Sequence, residues 1–256
     1  EYLPYLFEDH MMFTSNRKSV LEDQFLENTE KVYFSNIIDE ETWSKPEKNG
    51  YKWNSDNNTA LVGVDENNFY FYRVYWKNNG EIYAAERKEN SEKPWKASKI
   101  SKLKNICTDY DENSITKIGQ DSFLFVSNKK GKYDIYLQVG KKKPTSVDIL
   151  NSEADEGDLF FIKETNTLYF SSNREGGMGG WDIYQSSYQD NHFSKATLLT
   201  DTLVNTEADE RDFRKQNDST YFFSSNREGG MGGWDIYEWK IRTFFDTIPD
   251  TLEIPI

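Results

Sequence analysis

A stretch of fifteen residues, FSSNREGGMGGWDIY, occurs twice in this chain, at residues 170–184 and again at residues 223–237. The two copies are identical, and their starts are 53 residues apart. A catalytic site is normally built once in a chain, whereas a structural unit can be used several times. The duplication therefore predicts a repeat protein, and the repeat constrains the fold more than any other feature of the sequence.

Weaker copies of the stretch occur upstream of the two identical ones. They are FTSNR from Phe13, FYRVYWKNNGEIY from Phe71 and FVSNKKGKYDIY from Phe125. The Ser-Asn pairs that mark the copies recur about every 53 residues on average, which is the length of a small multi-stranded repeat. The chain therefore accommodates five units.

An acidic box precedes the later copies at a nearly constant distance. The boxes are CTDYDEN from Cys107, NSEADEG from Asn151 and NTEADER from Asn205, and WNSDNNT from Trp53 is a decayed fourth. Each full unit then contains four short runs bounded by Asn, Asp, Gly or Ser, which indicate four antiparallel strands. In the fourth unit the predicted strands are residues 158–162, 167–172, 181–186 and 194–199.

Tandem four-stranded units are typical of β-propeller blades, because one such sheet cannot cover both of its apolar faces and needs neighbours on both sides. The sequence therefore predicts an all-β fold, a five-bladed β-propeller of four-stranded antiparallel blades. A single domain would cover residues 1–240, and residues 241–256 would form a closing strand or an exit linker. The predicted blades are residues 1–50, 51–103, 104–149, 150–201 and 202–240.

The composition agrees with a β fold and limits the partners. Aromatic residues make up 16% of the chain, and they favour strands. A formal charge of -13 repels phosphate backbones and anionic membranes, so we expect neither nucleic acid nor a lipid surface as partner. No apolar run approaches the roughly 20 residues that cross a bilayer. One cysteine and two scattered histidines supply neither a disulfide framework nor a zinc site.

The repeat resembles the TolB-type, WD-like propeller repeats, whose blades carry an acidic box, a YFSSNR run and a DIY strand. The match is strong over residues 150–237, and NSEADEGDLFFIKETNTLYFSSNREGGMGGWDIY is similar to the form common in Bacteroidota envelope proteins. There the repeat accompanies OmpA-like peptidoglycan-binding domains, including in a type IX secretion component of the PorE kind. The resemblance implies a periplasmic or outer-membrane-associated interaction domain whose partners are envelope proteins, peptidoglycan-anchored or outer-membrane components among them.

The duplicated stretch itself predicts a structural loop between the second and third strands of a blade. We expect its four glycines to supply positive φ values and Trp181 and Trp234 to begin the third strands. Asp182 and Asp235 would accept hydrogen bonds from the backbone or from Arg174 and Arg227, and so fix the loop. A phosphate-binding loop is rejected, because it should open a helix and this one opens a strand.

The acidic boxes are the candidate binding residues, since the starts of all first strands converge at one mouth of a propeller channel. The candidates are Asp111, Glu112, Asp155, Glu156, Asp209 and Glu210. Converging carboxylates would attract cations or basic partner segments. Alternatively, they cap turns and pair with neighbouring blades. We expect no cofactor; calcium is the one ion considered, although TDYDEN lacks the glycine and distal glutamate of a calcium loop.

The first 104 residues have drifted furthest from the repeat, which frees them to recognise a partner or simply reflects drift and core packing. The interface candidates are the aromatic residues Phe69, Tyr70, Tyr72, Tyr75 and Trp76, together with the insert at residues 19–30. The prediction for function is a non-catalytic interaction scaffold. The alternative is a carbohydrate-binding or glycoside-hydrolysing five-bladed propeller, which an asymmetric pair of carboxylates in an open channel would distinguish.

Overall fold

The computed structural model describes residues 1–7, 10–16, 29–39, 42–48, 54, 58–74, 79–87 and 100–241. The side chain of Phe7 is not part of this description. The described chain folds into five small antiparallel sheets, each built from strands consecutive in sequence. The predicted all-β, five-bladed propeller is confirmed.

The first three blades have the four-stranded order that the repeat predicts. Their strands are β1 (Tyr2–Phe7), β2 (His10–Ser15), β3 (Lys31–Asn36) and β4 (Glu47–Lys48) in blade 1; β5 (Asn58–Val64), β6 (Asn68–Val74), β7 (Glu81–Glu86) and β8 (Ser101–Lys102) in blade 2; and β9 (Glu112–Gly119), β10 (Ser122–Ser127), β11 (Asp134–Val139) and β12 (Thr145–Ser146) in blade 3.

The last two blades depart slightly from this order. Blade 4 contains β13 (Glu156–Ile162), β14 (Thr167–Ser172), β15 (Asp182–Gln189), β16 (His192–Phe193) and β17 (Thr197–Leu198), and β15 pairs with both of the short strands that follow it. Blade 5 contains β18 (Glu210–Lys215), β19 (Thr220–Ser225) and β20 (Asp235–Lys240), three strands within the described residues. Of the predicted closing strand or exit linker, residues 241–256, Ile241 is described and residues 242–256 lie outside the described part of the chain.

Each sheet buries its faces against its neighbours, as the repeat requires. Hydrophobic clusters lie between successive blades, and their largest fully buried members are aromatic or aliphatic strand residues such as Phe71, Phe125, Phe170 and Phe213. Burial of one such side chain stabilises the fold by about 2 kcal/mol. The clusters join pairs of blades, so an isolated blade would expose them.

The ring closes between blade 5 and blade 1. The amino group of Glu1 donates to the carbonyl of Trp234 at 2.6 Å. The same bond recurs inside the chain, where the N–H of Glu210 donates to the carbonyl of Trp181 at 2.7 Å and that of Glu156 to the carbonyl of Tyr133 at 2.9 Å. Glu1 therefore takes the place of a box glutamate. No helix in the described part of the chain is long and apolar enough to span a membrane.

Candidate functional site

The glutamates of the acidic boxes are buried inside their own blades. Glu210 is fully buried, and its carboxylate accepts hydrogen bonds from Thr206 N–H at 2.8 Å, Thr206 Oγ1 at 2.7 Å and Ser225 Oγ at 2.8 Å. Glu112 and Glu156 are held by the same kinds of partner. Burial raises the pKa of both Glu112 and Glu156, because the charged form loses hydration.

The aspartates of the boxes connect neighbouring blades. Asp155 Oδ1 accepts the N–H of Tyr133 at 2.8 Å, and Asp209 Oδ1 accepts the N–H of Trp181 at 2.9 Å. Asp111 accepts the N–H of Gly80 at 2.7 Å and also the hydroxyl groups of two tyrosines. Each aspartate therefore fixes the loop that enters the third strand of the preceding blade.

One side chain at the start of each box binds the third strand of the preceding blade through both a donor and an acceptor. It is the first residue of the three later boxes and the second residue, Asn54, of the decayed box. Asn151 Oδ1 accepts the N–H of Ile135 at 2.7 Å, and its Nδ2 donates to the same residue's carbonyl at 3.1 Å. Asn54 does the same with Val32, and Asn205 with Ile183. Cys107 replaces the asparagine in blade 3 and bonds to Ile82 through Sγ. We call the interface between two neighbouring blades a seam, and these four side chains, Asn54, Cys107, Asn151 and Asn205, the seam staples.

The Ser-Asn-Arg part of the repeat binds the box of its own blade. Asn226 Oδ1 accepts the N–H of Asp209 at 2.9 Å, and Arg227 donates to Glu210 Oε1 at 3.0 Å. Arg227 also lies over the rings of Phe223 and Tyr237, 5.0 and 4.8 Å from their centroids. Arg174 makes equivalent contacts with Glu156. The prediction allowed either the backbone or Arg174 and Arg227 as donors to Asp182 and Asp235, and the arginines bind the box glutamates instead.

Asp182 and Asp235 bind the backbone of the glycine loop, as the other half of that prediction stated. Asp182 Oδ2 accepts the N–H groups of Met178 at 3.0 Å and Gly179 at 3.1 Å. The third strands begin at these aspartates, one residue after the predicted Trp181 and Trp234.

The expectation that all four loop glycines have positive φ is wrong. Gly176 has a φ of +89°, and its counterpart Gly229 has +96°. Gly177 and Gly179 serve close approach instead: a Cβ would lie 2.0 Å from Asp182 Oδ2 at Gly177 and 1.7 Å from the Ala208 carbonyl oxygen at Gly179. The Asp182 side chain and the acidic box of blade 5 press on the loop, so space rather than backbone conformation requires glycine there.

The channel mouth holds a cavity of about 370 Å³. Its lining combines aromatic, acidic, amide and aliphatic side chains: Tyr2, Leu3, Asn16, Glu30, Ala60, Val62, Tyr72, Asn113, Asp158, Arg211, Asp212 and Trp234. Blades 1 to 3 contribute mostly apolar or neutral residues, whereas blades 4 and 5 contribute the charged cluster. The lining is therefore asymmetric, and none of the six box residues belongs to the part of it that the structure describes.

The charged cluster is built around an ion pair between blades 4 and 5. Arg211 donates from Nε to Asp158 Oδ2 at 2.6 Å and from a terminal nitrogen to Oδ1 at 3.1 Å. The guanidinium group also lies over the Trp181 ring, 4.4 Å from its centroid. This paired geometry holds the pKa of Asp158 below its usual range, against the desolvation that alone would raise it.

Asp212 lies beside this pair, and its pKa is displaced in the opposite direction. It is 3% exposed, and its Oδ2 accepts the N–H of Leu3 at 3.2 Å across the seam between blades 5 and 1, where the ring closes. Burial, together with the negative charge of Asp158, raises the pKa of Asp212 to about 7. The two neighbouring carboxyl groups therefore have pKa values displaced in opposite directions.

The backbone positions both carboxyl groups through β-bulges in the innermost strands. Asp158, Asp212 and Leu3 have φ values of +53°, +59° and +53°, each at the register shift of its strand. Residues with Cβ rarely adopt this conformation, and bulges redirect side chains next to functional sites. Beyond the bulge, buried Arg214 donates to the Asp158 carbonyl at 3.2 Å and lies over the Tyr5 ring.

Sequence reasoning missed this pair. Asp158 and Asp212 follow the box glutamates Glu156 and Glu210 by two residues, so the signal was an Asp repeated at one position of the first strand. Alternation within a strand gives that position the same side as the glutamate. The bulge changes the side, and it has no sequence signature beyond an Asp that tolerates positive φ.

The aromatic interface candidates have different locations. Phe69 and Tyr70 are 0% and 2% exposed and belong to the hydrophobic clusters of blade 2, so their side chains are not available to a partner. Tyr72 lines the channel cavity and donates to Asp111 Oδ1 at 3.0 Å. Tyr75 and Trp76 lie outside the described residues, as does the insert apart from Thr29 and Glu30.

The described residues contain no group of three His, Cys, Asp or Glu side chains that could hold a metal ion. Asp111, which with Asp109 would be an oxygen ligand in TDYDEN, accepts hydrogen bonds from Gly80, Tyr72 and Tyr133. These contacts give no support to a calcium site.

Comparison with protein-family models gives no match, and neither does comparison with curated proteins. Among solved structures, the chain is similar to an endo-arabinase from Bacteroides thetaiotaomicron, with a TM-score of 0.53, 12% identity and 94% of each chain covered. It is also similar to a TolB from Agrobacterium tumefaciens, with a TM-score of 0.50 and 9% identity, where 75% of this chain matches 61% of that one. At these identities the likenesses show the fold alone: the chain has the five-bladed, TolB-like propeller architecture.

Proposed function

We propose that this chain is a non-catalytic interaction module of a bacterial envelope assembly, whose channel mouth receives a segment of a partner protein. The observation that carries the proposal is the asymmetric cavity, because a recognition site must depart from blade symmetry while purely structural positions repeat it. The periplasmic or outer-membrane location, and a role near peptidoglycan or in type IX secretion, rest on the resemblance of the repeats.

The engagement of the carboxylates argues against catalysis. Both oxygens of Asp158 bind Arg211, and Asp212 is almost fully buried under the closing seam. The box glutamates are buried and hydrogen-bonded. A general acid or base must reach the proton that it transfers, and these groups are held by the fold itself.

The cavity lining indicates what kind of segment would bind. Tyr2, Tyr72 and Trp234 present aromatic surface, and Glu30 adds a carboxylate, while Arg211 of the described lining pairs with Asp158. Aromatic faces and carboxylates together favour the cationic side chains of Lys or Arg. The chain's formal charge of -13 would also speed association with a basic partner. The proposed partner is therefore a protein that offers an extended basic segment.

Capture from a bacterial envelope extract, using immobilised chain and identification by mass spectrometry, tests the proposal. The variant is Glu30→Lys, which reverses the charge at the mouth, and the matched control is Glu47→Lys on the exposed strand β4 of the same blade. We expect wild type and Glu47→Lys to retain one envelope protein that Glu30→Lys loses. Equal capture by all three would contradict a binding site at the channel mouth.

A carbohydrate-active channel is the second candidate, because the carboxyls of Asp158 and Asp212 have pKa values displaced apart. Such a pair is the arrangement from which glycosidases take an acid and a carboxylate. The test is release of reducing ends from a panel of polysaccharides, arabinan included. Hydrolysis by wild type that is abolished in Asp212→Asn would favour this candidate over the scaffold; no hydrolysis would remove it.

A further inference from the structure

The seam between blade 5 and blade 1 contains an apolar groove of about 730 Å³. Met11, Phe13 and Phe222 form its buried floor, and Trp43 packs edge-to-face on Phe222 at 6.4 Å. Met231 lies at its edge and is 100% exposed. An apolar surface of this size at a blade interface normally has an occupant.

At the seams between blades 2 and 3, 3 and 4, and 4 and 5, this place is taken by the connection between the two blades. The residue before each described staple of blades 3 to 5 is a buried aliphatic: Ile106, Leu150 and Val204, at 3%, 0% and 0% exposure. The residue before that faces solvent, with Ile149 at 51% and Leu203 at 67%. An inter-blade connection therefore has a fixed order of exposed residue, buried aliphatic and staple.

The third strand of blade 5 lacks that cover in the described part of the chain. Val32, Ile82, Ile135 and Ile183 are each 0% exposed beneath their staples, whereas their counterpart Ile236 is partly exposed. No described side chain plays the part of a staple on Ile236, although the four equivalent residues each have one.

The two identical glycine loops also differ in how closely the next connection packs against them. A Cβ at Gly179 or Gly180 in blade 4 would meet Ala208 or Asp209 of the next acidic box, at 1.7 and 2.5 Å. At Gly233 in blade 5 a Cβ would meet nothing within 4 Å. Identical sequence therefore packs tightly at one seam and leaves room at the other.

We propose that the C-terminal segment 242–256 of this chain occupies the groove, with Leu252 as the buried aliphatic and Glu253 beside Ile236. The spacing supports it: Asn151 follows Ile135 by 16 residues, Cys107 follows Ile82 by 25, and Glu253 follows Ile236 by 17. A glutamate can accept the N–H of Ile236 but cannot donate to its carbonyl. The segment thus supplies half of a seam staple.

The alignment of residues 250–253 with the other inter-blade connections is decided by which side chains each alignment would bury. The triplet Asp250-Thr251-Leu252 repeats Asp201-Thr202-Leu203 of the preceding connection. Strict alignment of the two triplets would expose Leu252 and bury Glu253, which would cost the hydration of a charge. The connection from blade 3 to blade 4, Asp148-Ile149-Leu150-Asn151, matches Asp250 to Glu253 and places Glu253 at the position of Asn151, which is half-buried and leaves the charge partly hydrated. Thr251 is then the solvent-facing residue.

Hydrogen exchange of the Ile236 amide in the 256-residue chain tests the proposal, with Leu252→Asp as the variant and Thr251→Asp as the matched control. We expect the amide to be protected in wild type and in Thr251→Asp, and to exchange at least about tenfold faster in Leu252→Asp, because a local opening is made easier. A chain ended after Asp246 is the second variant and should exchange as Leu252→Asp does. Exchange at Ile183 monitors folding and should not change.

Three outcomes would overturn the inference. The first is an Ile236 amide that exchanges as fast in wild type as in the shortened chain, since the segment would then provide no cover. The second is an Ile236 amide that is as strongly protected in Leu252→Asp and in the shortened chain as it is in wild type. The third is protection of the Ile236 amide that grows with protein concentration, in a protein that elutes as a dimer on size exclusion. A second copy of the chain would then be the occupant.

Discussion

Asn205 binds both backbone groups of Ile183: its Oδ1 accepts the N–H at 2.8 Å, and its Nδ2 donates to the carbonyl at 2.9 Å. One side chain of blade 5 thus extends the sheet of blade 4 by the hydrogen bonds of a single strand residue. Both partners are buried, so water cannot replace the bonds. The same arrangement at three seams explains why the repeat keeps an asparagine at the start of its acidic box, and at the fourth seam the thiol of Cys107 replaces the amide.

Loss of this staple should destabilise the ring. We expect Asn205→Ala to lower the free energy of unfolding by about 2–3 kcal/mol, since it leaves a buried N–H and a buried carbonyl without partners. Urea unfolding followed by tryptophan fluorescence measures the change. Cys107→Asn is the converse experiment: the asparagine of the other boxes should hold Ile82 as well as or better than the thiol does. A loss below about 0.5 kcal/mol in Asn205→Ala would show that the staple is dispensable.

The duplicated glycine loops provide a matched pair of substitutions. Gly179→Ala should cost about 2 kcal/mol or more, because its Cβ would lie 1.7 Å from the Ala208 carbonyl oxygen. Gly232→Ala alters the same position of the identical loop, where the nearest atom is the Trp234 carbonyl oxygen at 3.7 Å, and should be neutral to within about 0.5 kcal/mol. Thermal unfolding of the two variants side by side gives the comparison. Equal costs would mean that the loop, and not the seam, requires glycine.

The blade architecture was predictable from the sequence because each landmark has a local cause. Residues 167–172 form a strand as predicted, since an alternating aromatic run bounded by turn residues leaves little choice. The third strand of blade 4 was predicted at 181–186 and runs from Asp182 to Gln189. Strand ends depend on pairing partners, which the local sequence does not specify.

The charged cluster in the channel was not predictable in the same way. Asp158 lies on blade 4, whereas Arg211 and Asp212 lie on blade 5, so the two blades must pack together with their bulges formed before these side chains meet. The box carboxylates were the more conspicuous candidates by composition, yet their partners are backbone groups and the Thr, Ser, Tyr and Arg side chains of the blades themselves. Phe69 and Tyr70 were also conspicuous, as part of an aromatic run, yet they belong to the core.

Cys107 should react slowly with thiol reagents. Burial raises the pKa of its thiol to about 11, so almost none of it is thiolate at neutral pH. We expect labelling by a disulfide reagent at pH 7.5 to be at least about a hundredfold slower than for the unfolded chain. The same protein in urea, where the single cysteine must react fully, is the control. Rapid labelling of the folded chain would contradict the bond between the thiol and the Ile82 carbonyl.

Asp212 should make stability fall as the pH rises. Its pKa is raised to about 7 in the folded protein, whereas an unfolded Asp titrates near about 3.9. Between these values the folded state keeps a proton that the unfolded state has lost. The free energy of unfolding therefore decreases by about 1.4 kcal/mol per pH unit in that window, and the contribution is lost once the pH exceeds about 7.

Asp212→Asn separates this effect from the other carboxyl groups. The amide resembles the protonated acid in shape and cannot ionise, so its carbonyl oxygen can still accept the Leu3 N–H. Glu112, Glu156 and Asp182 also have raised pKa values and contribute in the same direction to both proteins. We therefore expect wild type and variant to be closest in stability near pH 5, with the variant the more stable by pH 8 in urea unfolding. Parallel stability curves from pH 5 to pH 8 would contradict this prediction, because they would show that Asp212 does not titrate in that range.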